Sequence, residues 1–378
     1  MRLDSPLPIA AAVTWLPAER ATVEEAVAAG RIVRADAERN AFVELPISRD
    51  LHGPEMAAAA ASAALAAAGW RPERLDLVLH AWTYHQGLDF WSPAHFVARR
   101  IEAAGALPIG IQQMCNGGGA ALELAAVYLQ GDPAAERALV TTGDRFTAPG
   151  FDRWSGDYGI AYGDGGTAVL LGGGAAAGLE LLAIATVAES DLEAMHRGDE
   201  PFEQAPGAAA PLDIRRRKKA FIATKTNRKR VKEACARGAR TAVERALAEA
   251  DVAPHEVACL ALPRLGRSIL QTAYAPVLAT LKGAALMSYT GRTGHLGAGD
   301  LAANLSDIIG EDLLEPGVVA AVLGSGGGFT WTCAVVRRSE TRRSRTSPPA
   351  GASMRQHAMP ELRSHPSSRI AAIDSSRT

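Results

Sequence analysis

Two Gly-rich elements, each running directly into an apolar strand, constrain the fold of this chain more than any other feature. The first is Gly163-Asp164-Gly165-Gly166-Thr167, followed by Ala168 to Leu171, and the second is Gly324-Ser325-Gly326-Gly327-Gly328, followed by Phe329 to Val336. Each closes a block in which short apolar segments alternate with Ala-rich helical runs, the pattern of an α/β protein whose sheets are covered by helices. Helices are expected at 55–68, 93–103, 119–130, 228–250, 267–282 and 299–309. Strands are expected at 75–82, 108–114, 137–142, 166–172, 179–187, 257–262, 284–288, 317–323 and 330–337. The Gly-rich stretch 172–178 separates the blocks, so a duplicated architecture is the favoured reading: one half over 1–175, a second over 176–338, and a tail over 339–378.

The length, 378 residues, is ample for a large core, and 48% hydrophobic against 21% charged residues describes a soluble globular chain. No apolar run approaches the roughly 20 residues that span a bilayer, and the N-terminus lacks the pattern of a signal peptide. The four cysteines (115, 235, 259 and 333) show no metal-binding spacing, so reduced thiols in a cytoplasm are expected. From Arg337 to Thr378 there are nine Arg against three acidic residues. This Ser-, Arg- and Pro-rich tail has no apolar periodicity and reads as solvated disorder rather than a nucleic-acid-binding arm. Neither nucleic acid nor a membrane is an expected partner.

Cys115 is the candidate nucleophile. It lies between a strand-like stretch, Ala106 to Met114, and Asn116-Gly117-Gly118-Gly119, which leads into an apolar helical run from Ala120 to Leu129. A sulfur near the positive end of a helix is biased toward thiolate, and glycines allow backbone and substrate to approach closely. A small buried core cysteine is the competing reading. His295, in the Gly-punctuated loop Tyr289 to Ala298, is a candidate base. Asp300, at the head of a helical run, would fix its tautomer or simply cap the helix.

Arg215, Arg216, Arg217, Lys218 and Lys219, continued by Lys225 and Arg228-Lys229-Arg230, form a basic patch before and into a helix. It either receives an acidic carrier protein or coenzyme A phosphates, or is a solvated face. The stretch Glu189 to Gln204 reads as a surface excursion.

Four motifs together resemble the ketoacyl-ACP synthase III family of the thiolase superfamily over about residues 5–338. They are the Cys115 turn, Tyr162-Gly163-Asp164-Gly165-Gly166-Thr167-Ala168, the run Gly326-Gly327-Gly328-Phe329-Thr330-Trp331, and the order Leu262-Pro263 … Gly294-His295. The resemblance implies two similar βαβαβαββ halves in a layered α-β-α-β-α core. It also implies a homodimer, in which Phe90 and Trp91 line the partner's pocket. Two positions depart from the family pattern. Arg264 follows Pro263 where the family keeps a catalytic His, and His295 follows Gly294 where it keeps an Asn. The pair used to decarboxylate malonyl thioesters is thus absent. The chain resembles instead a divergent Cys-His-Asp acyltransferase subgroup of antibiotic and polyketide biosynthesis, as does the stretch Thr141 to Phe146 with Asp152-Arg153-Trp154.

The resemblance implies an acyl-enzyme on Cys115, His295 as base and Asp300 as its orienter, with backbone N–H groups of Cys115 and Gly327 as the oxyanion hole. Substrates would be an acyl carrier protein or polyketide synthase carrier domain (or coenzyme A) and a small-molecule acceptor, with no metal or redox cofactor. Small residues after Cys115 would leave room for a bulky acyl group such as methylsalicylyl, with Asn116, Arg264 and Ser325 also at the pocket. The alternatives are a decarboxylating 3-oxoacyl-ACP synthase III and a non-catalytic partner subunit.

Overall fold

A computed structural model describes residues 1–173, 178–202 and 211–340. The expected tail, from 341 onward, and the expected boundary between the halves at 175 lie outside the described residues. Residues 1–342 form a single compact unit.

The strands are β1 (Arg2–Trp15), β2 (Arg20–Thr22), β3 (Glu44–Pro46), β4 (Leu77–Ala81), β5 (Leu107–Ile111), β6 (Arg137–Asp144), β7 (Gly165–Gly172), β8 (Leu179–Ala188), β9 (Val257–Ala261), β10 (Ala285–Met287), β11 (Val319–Gly326) and β12 (Thr330–Arg338). All but β2 and β3, which pair with each other, form one ten-stranded sheet in the order β10-β9-β11-β12-β8-β1-β7-β6-β4-β5.

The sheet is a duplication. In the first half β4 runs parallel to β5 and β6, while β7 is antiparallel to β6 and β1. In the second half β9 runs parallel to β10 and β11, while β12 is antiparallel to β11 and β8. Antiparallel pairing of β1 with β8 joins the two.

Helix Gly53–Ala68 packs on β1, β6 and β7, and helix Lys225–Ala250 on β8 and β12. Between them lie Gly117–Gly131 and Asp300–Gly310, whose Ala121, Leu122, Ala125, Leu301, Leu305 and Ile308 share one core with strands of both halves. The layers are therefore helix, sheet, helix, sheet, helix. Burial of both sheet faces explains why the parallel strands read as continuous apolar runs rather than alternations.

The long strand β1 was not expected. Pro6, Pro8 and an Ala run give it no alternation and weak β-propensity, and it forms because β7 and β8 pair with it on both sides. The two central helices begin alike: each follows a one-turn 3-10 segment, Met114–Asn116 or Gly297–Gly299. These two turns meet, which brings the candidate residues of the two halves together.

Among the described residues, no helix is long and apolar enough to cross a membrane.

Candidate active site

Cys115 sits in the 3-10 turn at the head of helix Gly117–Gly131, partly exposed. Met114 before it has φ +50°, a left-handed conformation that costs a non-glycine residue energy and is maintained by surrounding structure. The three glycines after it serve packing. A Cβ on Gly118 would stand 2.5 Å from the Ala298 carbonyl oxygen, and one on Gly119 2.8 Å from Asn116 Oδ1. Gly117 has no more room, since its Cβ would meet those of Ala81 at 3.0 Å and Ala298 at 3.2 Å. These glycines make no space for an acyl group, which corrects that expectation. They let the two central turns touch.

His295 is locked by its main chain. Its N–H donates to Ala161 at 2.8 Å and its carbonyl accepts from Gly163 at 3.0 Å. Its Nδ1 lies 2.6 Å from Asp300 Oδ2, both side chains being buried, and Cys115 is its other charged neighbour. Burial pulls the pKa of His295 down, but Asp300 and the Cys115 sulfur outweigh it and hold the ring well above the usual histidine range. Asp300 does not cap the helix, since it occupies the first helical position after Gly299. Its carboxylate accepts from the backbone N–H groups of Leu296 (2.9 Å) and Arg264 (2.8 Å) as well as from His295. Burial raises its pKa, and His295, Arg264 and the Leu296 N–H together bring it below the ordinary value.

Arg264 is turned away from the cavity, a second correction. Its guanidinium donates to Asn304 Oδ1 and Thr293 Oγ1, pairs with Asp307 and stacks on Tyr289. Asn116 is likewise committed, its Nδ2 donating to Thr330 and Thr332. Ser325 and Gly327 do border the cavity, and Ser325 Oγ accepts from Tyr274 Oη at 2.6 Å. Gly326 packs so closely that its Cβ would lie 3.0 Å from the Cys115 nitrogen and 2.4 Å from that of Asn116. Phe90 is fully exposed and Trp91 half-buried; both line a separate cavity of about 680 Å³, which also holds Met114 and Gly327.

The cavity at Cys115 and His295 measures about 820 Å³. Its other wall holds residues that the sequence gave no reason to group. Tyr162 meets His295 edge to face at 5.2 Å, and its hydroxyl donates to Asp157 at 2.8 Å. Asp157 is paired with Lys218 at 2.7 Å, and His196 stands beside Lys218. Lys218, expected on a carrier-binding surface, is buried in this wall instead. Of the other basic residues, Arg216 and Arg217 pair with Glu200, Arg215 stacks on Tyr158, and Lys219 is exposed. Exposed Arg39, Arg228 and Lys232 ring the mouth. The stretch expected to be a surface excursion supplies His196 to the wall.

The sequence motifs frame the site. Asp164 of the Gly-Asp-Gly-Gly motif accepts from the N–H groups of Ser48 and Phe146 and binds Arg153 through both oxygens. Asp144 accepts from the N–H groups of Thr83, Tyr84 and Ala298, and burial pushes its pKa up to about 7.

Residues 109–190 match the family 3-oxoacyl-[acyl-carrier-protein] synthase III, and residues 247–338 match its C-terminal domain. A beta-ketoacyl-[acyl-carrier-protein] synthase III of Thermosynechococcus vestitus is 29% identical over 75% of this chain and 83% of its own. Among solved structures, the acyltransferase ChlB3 is 34% identical, with TM-score 0.80 over 89% of this chain and 98% of that one. The 3-oxoacyl-[acyl-carrier-protein] synthase III of Aquifex aeolicus shares the fold, with TM-score 0.71 at 23% identity over 88% of this chain and 99% of the other.

Proposed function

The chain belongs to the 3-oxoacyl-ACP synthase III family, enzymes that transfer or condense acyl groups, and from that premise we propose that it is an acyltransferase. It moves an acyl group from a carrier-protein or coenzyme A thioester, through Cys115, to a hydroxyl, an amine or a second carrier in specialised metabolism. The observation that carries this reading is the His295 Nδ1–Asp300 contact of 2.6 Å beside Cys115, in a site where Arg264 is bound elsewhere. The 34% identity to a protein named as an acyltransferase supports it.

The proton accounting closes on these residues. A ring whose pKa is held up by both Asp300 and the sulfur favours the pair imidazolium–thiolate. The thiolate attacks the thioester carbonyl, and the oxyanion is received by the N–H groups of Cys115 and Gly327. As the intermediate collapses, the departing carrier thiolate takes the proton from His295. Acylation removes the negative sulfur, so one of the two influences raising the ring's pKa disappears. Neutral His295 then takes the proton of the acceptor as its oxygen or nitrogen attacks, and collapse restores the thiolate and the imidazolium. Asp300 holds the Nδ1–H tautomer throughout, which directs Nε2 at the reaction.

Two further features support partners. The basic mouth (Arg39, Arg215, Arg228 and Lys232) suits the phosphate of a carrier arm or coenzyme A. Edge strand β5 exposes Leu107 and Ile109 with an unpaired side, and Leu124 and Val127 are exposed on the next helix, as a homodimer would require.

The test is intact-protein mass spectrometry with acyl thioesters. The acyl mass should appear on Cys115, be absent from Cys115→Ala, and leave when an acceptor is added. Turnover by Cys115→Ala at the normal rate would end the proposal.

A further inference from the structure

The wall opposite Cys115 holds polar groups that the transfer chemistry leaves unused. Lys218 is 7% exposed, and its ammonium contacts both oxygens of Asp157, at 2.7 and 2.8 Å. Asp157 is saturated, since it also accepts from Tyr162 Oη and the Tyr158 N–H. An ammonium has three donors, and those contacts leave one to spare. His196 Nδ1 is out of reach of solvent and has no hydrogen-bond partner among the described residues. Its position is telling: a Cβ built on Gly327 would lie 2.3 Å from that nitrogen, so the ring stands against the loop bordering Cys115. Lys218, His196, Cys115 and His295 all line the same cavity. A buried polar atom left unpaired costs free energy comparable to a lost hydrogen bond, so a site retaining two such atoms side by side is built for a ligand.

We propose that Lys218 and His196 bind the acceptor, gripping a second hydroxyl adjacent to the one that attacks the acyl-enzyme. This deepens the acyltransferase reading and rests on it. A hydroxyl is the group that satisfies both atoms at once. It accepts from the Lys218 ammonium and donates its own proton to His196 Nδ1, provided the ring is neutral with its proton on Nε2. Neutrality is what the surroundings impose. Burial, then the neighbouring Lys218 charge, lower the pKa of His196 to about 3 against the opposing influence of Asp157. With the second oxygen held there, the reacting hydroxyl is left facing His295. The acceptor class is therefore a compound with vicinal hydroxyls, rather than an isolated alcohol.

The experiment loads the full-length protein with an acetyl thioester of N-acetylcysteamine and follows discharge of the adduct by intact mass. The acceptors are cyclohexane-1,2-diol and, as the one-hydroxyl control, cyclohexanol. The unaltered protein should discharge to the diol at least about tenfold faster, the effect of roughly one good hydrogen bond. His196→Phe should bring that ratio to within about threefold of unity. So should the double variant Lys218→Met with Asp157→Asn, which removes the ammonium without stranding a buried carboxylate. Because both rates are read on one acyl-enzyme, general damage to the fold cancels in the ratio. A diol preference that survives in both folded variants, or none in the unaltered protein, would overturn the inference. If no adduct forms on Cys115, the nucleophile reading fails first and takes this one with it.

Discussion

Replacing Asp300 by Asn probes the site where its geometry is most closely specified. The carboxylate serves three donors: Oδ1 takes the Leu296 N–H, and Oδ2 takes both the Arg264 N–H and His295 Nδ1. An amide has one oxygen and cannot serve all three. With its oxygen toward Leu296, its NH₂ meets the Arg264 N–H and forces His295 to present an unprotonated Nδ1, which puts the proton on the catalytic nitrogen. With the amide flipped, the tautomer survives but the Leu296 N–H is orphaned and the charge opposite the imidazolium is lost. One buried N–H is unsatisfied either way, at a cost of about 1–3 kcal/mol in stability. Loss of a charge-assisted bond alone slows transfer roughly 10- to 150-fold, and loss of the tautomer extends that toward about 10⁴-fold. Asp300 is also what most raises the pKa of His295 against burial, so the ring should titrate lower in the variant. Quenched-flow discharge of the acyl-enzyme across pH reads both effects. A folded Asp300→Asn protein that transfers at the normal rate with an unchanged pH profile would refute the reasoning.

Gly326→Ala should reduce loading of Cys115 by about 100-fold or more, since the new methyl would press on the Cys115 and Asn116 nitrogens; loading kinetics with a thioester measure this. His80, fully buried between Thr141 and Gln86, has its pKa lowered by burial from 6.5 to about 4. The folded state thus binds this proton less readily than the unfolded state, and stability should fall by about 3 kcal/mol as pH drops from 6.5 to 4. Urea titrations should show that loss shrinking in a folded His80→Asn variant. Ile109→Lys on the exposed edge strand should convert a dimer to a monomer in light scattering; a monomeric unaltered protein would remove the dimer proposal.

What could be read from the chain followed from local pattern. The apolar runs of β4, β6, β9 and β11 stand out because helices bury both their faces, and the Gly-rich closures of β7 and β12 mark the duplication. Cys115, His295 and Asp300 were legible because each sits at a Gly-flanked helix start, and the fold brings those two starts together. The opposite wall was not legible. Lys218 lies within a run of five basic residues that reads as solvated, and its partner Asp157 is 61 positions away. His196 belongs to a polar stretch whose burial depends on Phe329 and Gly327 packing over it. Arg264 had the motif position of a pocket residue, but Asp307 and Asn304, one and two helical turns away from Asp300, draw its side chain off. Such pairings are set by tertiary contact, and no spacing rule in the sequence encodes them.

The central claim is acyl transfer without carbon–carbon bond formation, and malonyl thioester labelled in its free carboxyl tests it most directly. A decarboxylating site needs donors aimed at the thioester oxygen while the enolate develops. Here Arg264 is bound to Asn304, Thr293 and Asp307, and Asp300 holds His295 for base work. Given the labelled donor and an acyl-enzyme on Cys115, the account predicts no labelled carbon dioxide above the rate of the Cys115→Ala control. Stoichiometric release of labelled carbon dioxide with product would contradict it and make the protein a condensing enzyme.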